Sequence, residues 1–252
     1  MKTALITGAN KGIGFEVARQ LLQLNYRVFI GSRSLELGNK AVDKLKSEGY
    51  KNVVAVQIDV TDQDSVKKAR IELGKKIEVL DVLINNSGIN GIEFDGETPI
   101  MHTSTDTDVN KFKEVFEVNL FGVIRTTQAF LDLLKKSVAP RIINVSSSQG
   151  SLTLHSDPDF IHYKHKGVAY QSSKAALNMY TIVLAYELRD LPFKVNAVSP
   201  GSTKTDFNRQ LGQGSVEDAA KRIIKYATID QDGPTGKFFA EDMNPKTGEI
   251  PW

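Results

Sequence analysis

Short apolar runs alternate with longer amphipathic stretches along the whole chain. The runs are TALIT (3–7), RVFIGS (27–32), VVAVQID (53–59), VLDVLINN (79–86), RIINVSS (141–147), KVNAVSP (194–200) and GKFF (236–239). They are rich in Val and Ile and apolar on both faces, which suits strands of a buried parallel sheet. Between them, helical spacing covers about 13–24, 35–47, a segment opening near Asp62, then 109–134, 169–188 and 216–226. Strand–helix alternation of this kind predicts a doubly wound α/β fold of about seven strands with helices on both faces. Right-handed crossovers put the carboxyl ends of all strands at one edge, where ligands bind. Two polar stretches, 89–108 and 151–168, interrupt the alternation. Both are expected as loops over that edge, together with 202–212. Loops of this length are commonly functional.

The first strand meets its helix in TGANKGIG (7–14), where Gly8, Gly12 and Gly14 are spaced G-x-x-x-G-x-G. Glycines at such a turn allow positive φ and close backbone approach. The free N–H groups and dipole of the helix start favour an anion there, such as a dinucleotide pyrophosphate. The spacing matches neither G-x-G-x-x-G nor a P-loop. The second strand ends in RVFIGSRS, with Arg33 where an acidic residue would select NAD. Lys11 adds a second cation inside the turn. Both charges favour a 2′-phosphate, hence NADP(H).

Composition changes this picture little. The chain has 252 residues, 40% hydrophobic and 25% charged, with a formal net charge of +2. That is globular composition without an electrostatic case for nucleic acid or membrane partners. There are no cysteines, which excludes disulfides, thiolate catalysis and zinc–cysteine sites. No linker or repeat is visible, so residues 1–252 are expected to form a single domain. Neither a signal peptide nor a membrane-length apolar stretch is visible, and the expected location is cytoplasmic.

One helix carries AYQSSKAALNMY (169–180), with Tyr170 and Lys174 four apart on one face. With it come TGANKGIG, LINNSG (83–88), VNLFG (118–122), INVSSSQG (143–150) and NAVSPGSTKT (196–205). In order and separation these motifs resemble the classical short-chain dehydrogenases/reductases over nearly the whole chain. The resemblance implies a single-domain Rossmann fold and a catalytic set of Asn119, Ser147, Tyr170 and Lys174. It implies cofactor contacts from Gly8, Asn10, Lys11, Gly12, Ile13, Gly14 and Arg33. It adds Asp59 and Val60 at the adenine, Asn86 and Gly88 at the central wall, and Tyr170 and Lys174 again at the nicotinamide ribose. Pro200, Gly201, Thr203 and Thr205 would lie beside the nicotinamide. Ser147 is the serine three before Gly150; strand alternation turns Ser146 and Ser148 to the other side.

These residues make chemical sense. A carbonyl accepting hydride needs a hydrogen-bond donor and a proton at its oxygen. Tyrosine's ordinary pKa is about 10, and a nearby ammonium from Lys174 is expected to lower it. Tyr170 then acts as general acid in reduction and as base in oxidation. The segment SDPDFIHYKHKG (156–167) and the ending GPTGKFFAEDMNPKTGEIPW (233–252) resemble those of NADPH-dependent carbonyl reductases. In monomeric members the corresponding insertion covers a helix face used elsewhere for oligomers, so a monomer is expected, with a dimer or tetramer as alternatives. His162 and His165 could meet a metal, but the reading is a lid without metal. Phe160, Tyr163 and Phe207 are candidates for an apolar substrate wall, and Trp252 for packing the tail. The expected activity is NADPH-dependent reduction of a ketone or aldehyde to an alcohol. The alternatives are an NADP-linked dehydrogenase of a sterol, sugar or polyol, and a non-catalytic dinucleotide sensor.

Overall fold

The computed structural model describes residues 1–96, 98–100 and 102–252. Strands β1 (Thr3–Ile6), β2 (Arg27–Ser32), β3 (Val53–Gln57) and β4 (Val82–Asn85) alternate with helices α1 (Gly12–Gln23), α2 (Leu35–Ser47) and α3 (Gln63–Gly74). A short antiparallel pair, β5 (Glu93–Asp95) and β6 (Thr98–Ile100), follows. Helices α4 (Val109–Phe116) and α5 (Gly122–Leu134) come next, then β7 (Arg141–Val145), α6 (Leu152–Ser156) and α7 (Val168–Glu187). The chain ends through β8 (Lys194–Val198), α8 (Val216–Ala227) and β9 (Phe238–Phe239).

The main sheet has seven strands in the order β3-β2-β1-β4-β7-β8-β9. Every pairing in it is parallel. This is a Rossmann-like α/β fold with helices on both faces. One apolar cluster joins Ala4, Ile6, Val28 and Ile30 to Val17 and Leu21 of α1 and Ile223 of α8. On the other face Leu5, Phe29 and Leu83 pack against Leu73 of α3, Phe130 of α5 and Leu184 of α7. Alternate residues of one strand thus feed opposite cores, which is why the strands read as continuous apolar runs. The strand order reverses between β1 and β4, and the crevice at that switch point is where such sheets bind ligands.

Three sequence expectations need correction. The stretch 89–108 is not wholly loop, because β5 and β6 pair with Glu93 opposite Ile100 and Asp95 opposite Thr98. The signal was Gly96, which follows the paired Asp95 and takes the positive φ that the first position of a two-residue hairpin turn needs; Glu97 and Met101, in the same stretch, lie outside the described residues. The helix expected over 109–134 holds its direction but contains a π-helical turn at Glu117–Phe121. The segment 151–168 is not wholly loop either, since it holds α6, and its turns are tied to α7 through Gln171. Met179, Val183 and Tyr186 of α7 are exposed. Trp252 does pack the tail, stacking on Phe238 at 5.4 Å while its carbonyl accepts from Thr153.

A buried polar ladder ties the carboxyl edge of the sheet to the helices beneath it. Asn85 Nδ2 donates to Asn144 Oδ1 at 2.9 Å and to Thr127 Oγ1 at 3.0 Å, and Asn144 Nδ2 donates to Thr181 Oγ1 at 2.9 Å. Removing one member strands the others in a medium that cannot solvate them. Asn144→Ala is expected to cost about 1–3 kcal/mol, a fall in melting temperature of roughly 2–4 °C for each kcal/mol. Differential scanning calorimetry of the two proteins checks this.

Candidate active site

A cavity of about 850 Å³ lies across the switch point, lined by the glycine turn and Arg33 at one end and by Ser147, Tyr170 and Phe207 at the other. The glycine turn is built by close approach. Gly8 and Gly12 take φ of +63° and +59°. A methyl group at Gly14 would sit 2.5 Å from Asn86 Nδ2 and 2.8 Å from the Gly8 carbonyl oxygen. Asn86 Nδ2 donates to the carbonyls of Thr7 and Gly8 at 2.9 and 3.1 Å, fixing the turn to the end of β4. Thr7 Oγ1 accepts from the backbone N–H groups of Asn86 and Ser87, both at 3.0 Å. Thr7 is a residue the motif reading passed over, although it opens TGANKGIG. The turn leaves room at the start of α1 for an anion on its N–H groups. A dinucleotide fits this cradle: the glycines admit its phosphates, and Asn10, Lys11, Ile13, Asp59 and Val60 line the same cavity.

The two cations singled out for a 2′-phosphate differ. Arg33 is exposed and lines the cavity, with no carboxylate at ion-pair distance among the described residues. Lys11 instead pairs with Asp206 at 2.8 Å, in the segment that follows Thr205. No local pattern marks that pair, since it joins opposite ends of the chain. Asp59 turns its carboxylate to Thr61, accepting from its N–H at 3.0 Å and its hydroxyl at 2.7 Å.

At the other end the expected catalytic residues converge. Ser146, Ser147 and Ser148 all reach the cavity lining, so the alternation argument does not separate them; Ser146 differs in that its hydroxyl is engaged, donating to Asn178 Oδ1 at 2.6 Å. Lys174 Nζ donates to the Val145 carbonyl at 2.8 Å and lies 5.7 Å from the Tyr170 ring centre. Asn119 is fully buried on the π turn. Its Oδ1 accepts from Ile89 N–H at 2.9 Å, and its Nδ2 donates to Ile89 O at 2.9 Å and Ser173 Oγ at 3.0 Å. Gly88 sits between Asn119 and Lys174. Pro200, Gly201, Thr203 and Thr205 line the wall opposite Tyr170, with Thr203 Oγ1 donating to the Gly201 carbonyl at 3.1 Å.

The electrostatics differ from the sequence expectation. Burial pushes the Tyr170 phenol up to about 12, only partly offset by hydrogen bonding with Ser147. Burial pushes the Lys174 ammonium down to about 8. The dry cavity acts on each group more strongly than the groups act on one another. Tyr170 is thus held as a protonated phenol, the form that gives a proton.

The segment 202–212 is strapped over the cavity. Asn90 Nδ2 donates to the Phe207 carbonyl, and Arg209 donates to the Gly96 carbonyl at 2.7 Å with its guanidinium over the Phe94 ring. Phe207 meets the Tyr170 ring edge-on at 5.8 Å. Of the three aromatics proposed for the substrate wall, Phe207 alone lines the cavity. Phe160 packs between His155 and His162, and Tyr163 lies under Lys166. Asn90, Phe94 and Asp206 were missed because their roles arise from contacts between distant loops. The rings of His162 and His165 lie 5.5 Å apart, and among the described residues no group of three His, Cys, Asp or Glu could hold a metal.

The buried lysine gives a pH signature of the protein alone. Between pH 8 and 10.5 the unfolded chain keeps the Lys174 proton and the folded chain has lost it, so stability rises with pH there. Between pH 10 and 12 the folded chain keeps the Tyr170 proton that the unfolded chain loses, so stability falls. Lys174→Met is expected to abolish the first change, worth about 3 kcal/mol, as read from urea unfolding of both proteins from pH 7 to 10.

Comparison with known proteins places this geometry. The family described as short chain dehydrogenase matches residues 2–215. Salutaridine reductase of Papaver bracteatum is 32% identical over 294 aligned positions, covering 95% of this chain and 94% of the relative. The (-)-isopiperitenone reductase of Mentha piperita is 33% identical, covering 95% and 96%. The crystal structure of NADPH-bound carbonyl reductase from chicken fatty liver superposes with a TM-score of 0.82 at 28% identity, covering 100% of this chain and 99% of that one. The 294 positions of the first alignment exceed the 252 residues available here, so that relative carries segments this chain lacks. A Rossmann-like sheet, a glycine turn at its switch point and this degree of likeness make the chain a member of the short-chain dehydrogenase family, an oxidoreductase of carbonyl and alcohol substrates.

Proposed function

We propose that the chain, working as one domain, reduces an aldehyde or ketone to its alcohol with NADPH. The observation that carries this reading is the phenol of Tyr170, kept protonated by burial beside Ser147 and Lys174 at the end of the cavity. That phenol can give a proton to the developing alkoxide in reduction and take one back in oxidation, and Arg33, at the cavity lining without a carboxylate at ion-pair distance among the described residues, favours NADP(H) and with it the reductive direction.

When bound, the cofactor supplies the hydride. The chain's residues do the rest. The glycine turn holds the pyrophosphate on backbone N–H groups, and Arg33 faces the 2′-phosphate. Ser147 Oγ donates a hydrogen bond to the substrate carbonyl oxygen and fixes its distance from Tyr170. As negative charge develops on that oxygen, Tyr170 delivers its proton there, and the alcohol leaves. Lys174 has one N–H on the Val145 carbonyl and two left for the nicotinamide ribose hydroxyls. Asn119 holds Ile89, and through it the wall of the site. Phe207 and the strapped segment exclude water from the reacting atoms. That favours proton delivery from the phenol over exchange with solvent. The NADPH-bound chicken carbonyl reductase supports the choice of cofactor.

NADPH oxidation against a panel of aldehydes and ketones tests the reading, with NADH in parallel. Wild type is expected to turn over with NADPH. Tyr170→Phe should lose at least about 100-fold in kcat, the scale of a general acid, while NADPH binding measured by fluorescence stays within threefold. Arg33→Ala should weaken NADPH about tenfold and NADH hardly at all, the loss expected of one charge-assisted contact. A protein that binds NADPH and reduces no carbonyl would overturn the reductase reading.

A further inference from the structure

The mouth of the cavity beyond Tyr170 carries one lysine and two imidazoles, with no carboxylate at ion-pair distance among the described residues. His162, His165 and Lys166 line the cavity alongside Gln171, next to Tyr170 in the chain. The His162 and His165 rings stand 5.5 Å apart. Lys166 Nζ lies 4.2 Å over the Tyr163 ring and donates to the His155 carbonyl at 3.0 Å, leaving two N–H groups. Among the described residues none of His162, His165 and Lys166 has a carboxylate at ion-pair distance. After burial, Lys166, His162 and His165 all help to hold His155 below its ordinary value.

The group is fixed relative to the reacting end. Gln171 Nε2 donates to the His165 carbonyl at 2.8 Å and to Gln149 Oε1 at 2.7 Å, and Gln171 Oε1 accepts from Gly167 N–H at 3.1 Å. The cationic segment is thereby bolted to the first turn of α7, the turn that carries Tyr170. The facing wall has another character. Ile92, Phe94, Phe207 and Leu211 give it apolar surface, among the polar Asn90, Asn208 and Gln210 of the same segments. The cavity therefore offers an apolar slot beside Tyr170 and a cationic rim on one side. Neutral ketones would fill the slot and leave the rim idle.

We propose that the substrate is an apolar aldehyde or ketone bearing a carboxylate, with Lys166, His162 and His165 receiving the carboxylate while the carbonyl meets Tyr170 and Ser147. This rests on the reductase reading and narrows it to a substrate class. The three side chains are specificity residues that take no part in the proton or hydride transfer. A charge at the rim acts on capture more than on chemistry, so KM carries the effect and kcat does not.

The test compares 4-carboxybenzaldehyde with its neutral methyl ester, methyl 4-formylbenzoate, under NADPH. Wild type is expected to favour the acid at least about fivefold in kcat/KM, through KM. The preference should shrink as salt rises from 20 to 500 mM, because exposed charges are screened. Lys166→Glu should reverse the ratio, and His162→Gln with His165→Gln should reduce it. NADPH affinity, read by fluorescence, shows that each variant is folded. An ester reduced as well as the acid by wild type overturns the inference, as does a preference that survives Lys166→Glu. If neither compound nor any member of the carbonyl panel is reduced, the reductase reading has failed. Calorimetry of the two compounds on the NADP-bound protein then decides the rim. Tighter acid binding, lost in Lys166→Glu, sustains the rim, and equal binding overturns it.

Discussion

Two hydrogen bonds from the side-chain amide of Asn86 hold the site together. They run to the carbonyls of Thr7 and Gly8, across the gap between β4 and β1 where the strand order reverses. The amide occupies the volume that a side chain at Gly14 would need. The glycine pattern is therefore a statement about Asn86 as much as about phosphate. The turn can close on the strand only if position 14 is bare, and the first turn of α1 can face the cavity only if the turn is closed. The polar ladder beneath, from Asn85 through Asn144 to Thr181, repeats this logic one residue deeper. Adjacent asparagines on one strand serve opposite purposes, Asn86 shaping the cavity and Asn85 anchoring the strand to its helices.

The same dryness that keeps Tyr170 protonated makes Lys174 costly to bury as a cation. Lys174 accepts that cost for a single carbonyl, that of Val145. Anionic or hydroxyl-bearing ligands in the cavity would repay it by occupying the remaining donors. Stability without ligand and readiness for ligand thus oppose one another at this residue.

Most of the architecture was legible because each strand is buried on both faces and reads as an unbroken apolar run. The bounds of α2 and the strand RVFIGS agree with the sequence reading residue for residue. Tyr170, Ser147, Lys174 and Asn119 were legible as a set because their motifs come in a distinctive order; the first three line one end of the cavity, and Asn119 is buried behind it beside Gly88. Three features were not legible. The β5–β6 hairpin is short, with only Gly96 to mark its turn. The Lys11–Asp206 pair joins residues whose proximity depends on the whole fold. The dominance of burial over mutual charge at Tyr170 and Lys174 depends on solvent access, which no local pattern encodes.

The π turn at Glu117–Phe121 is a helix with one residue too many. A regular α-helix turns by about 100° per residue, so excising one residue there would restore ordinary bonding and swing one flank by that angle. Asn119 could then face Ile89 only if α5 turned Phe130 away from its core, or α5 could stay packed and Asn119 would lose its two hydrogen bonds to Ile89. The healed helix would be the better helix. Natural drift towards a smoother backbone is therefore blocked at this place by the two masters the segment serves, and the extra residue marks where the scaffold yields to the site.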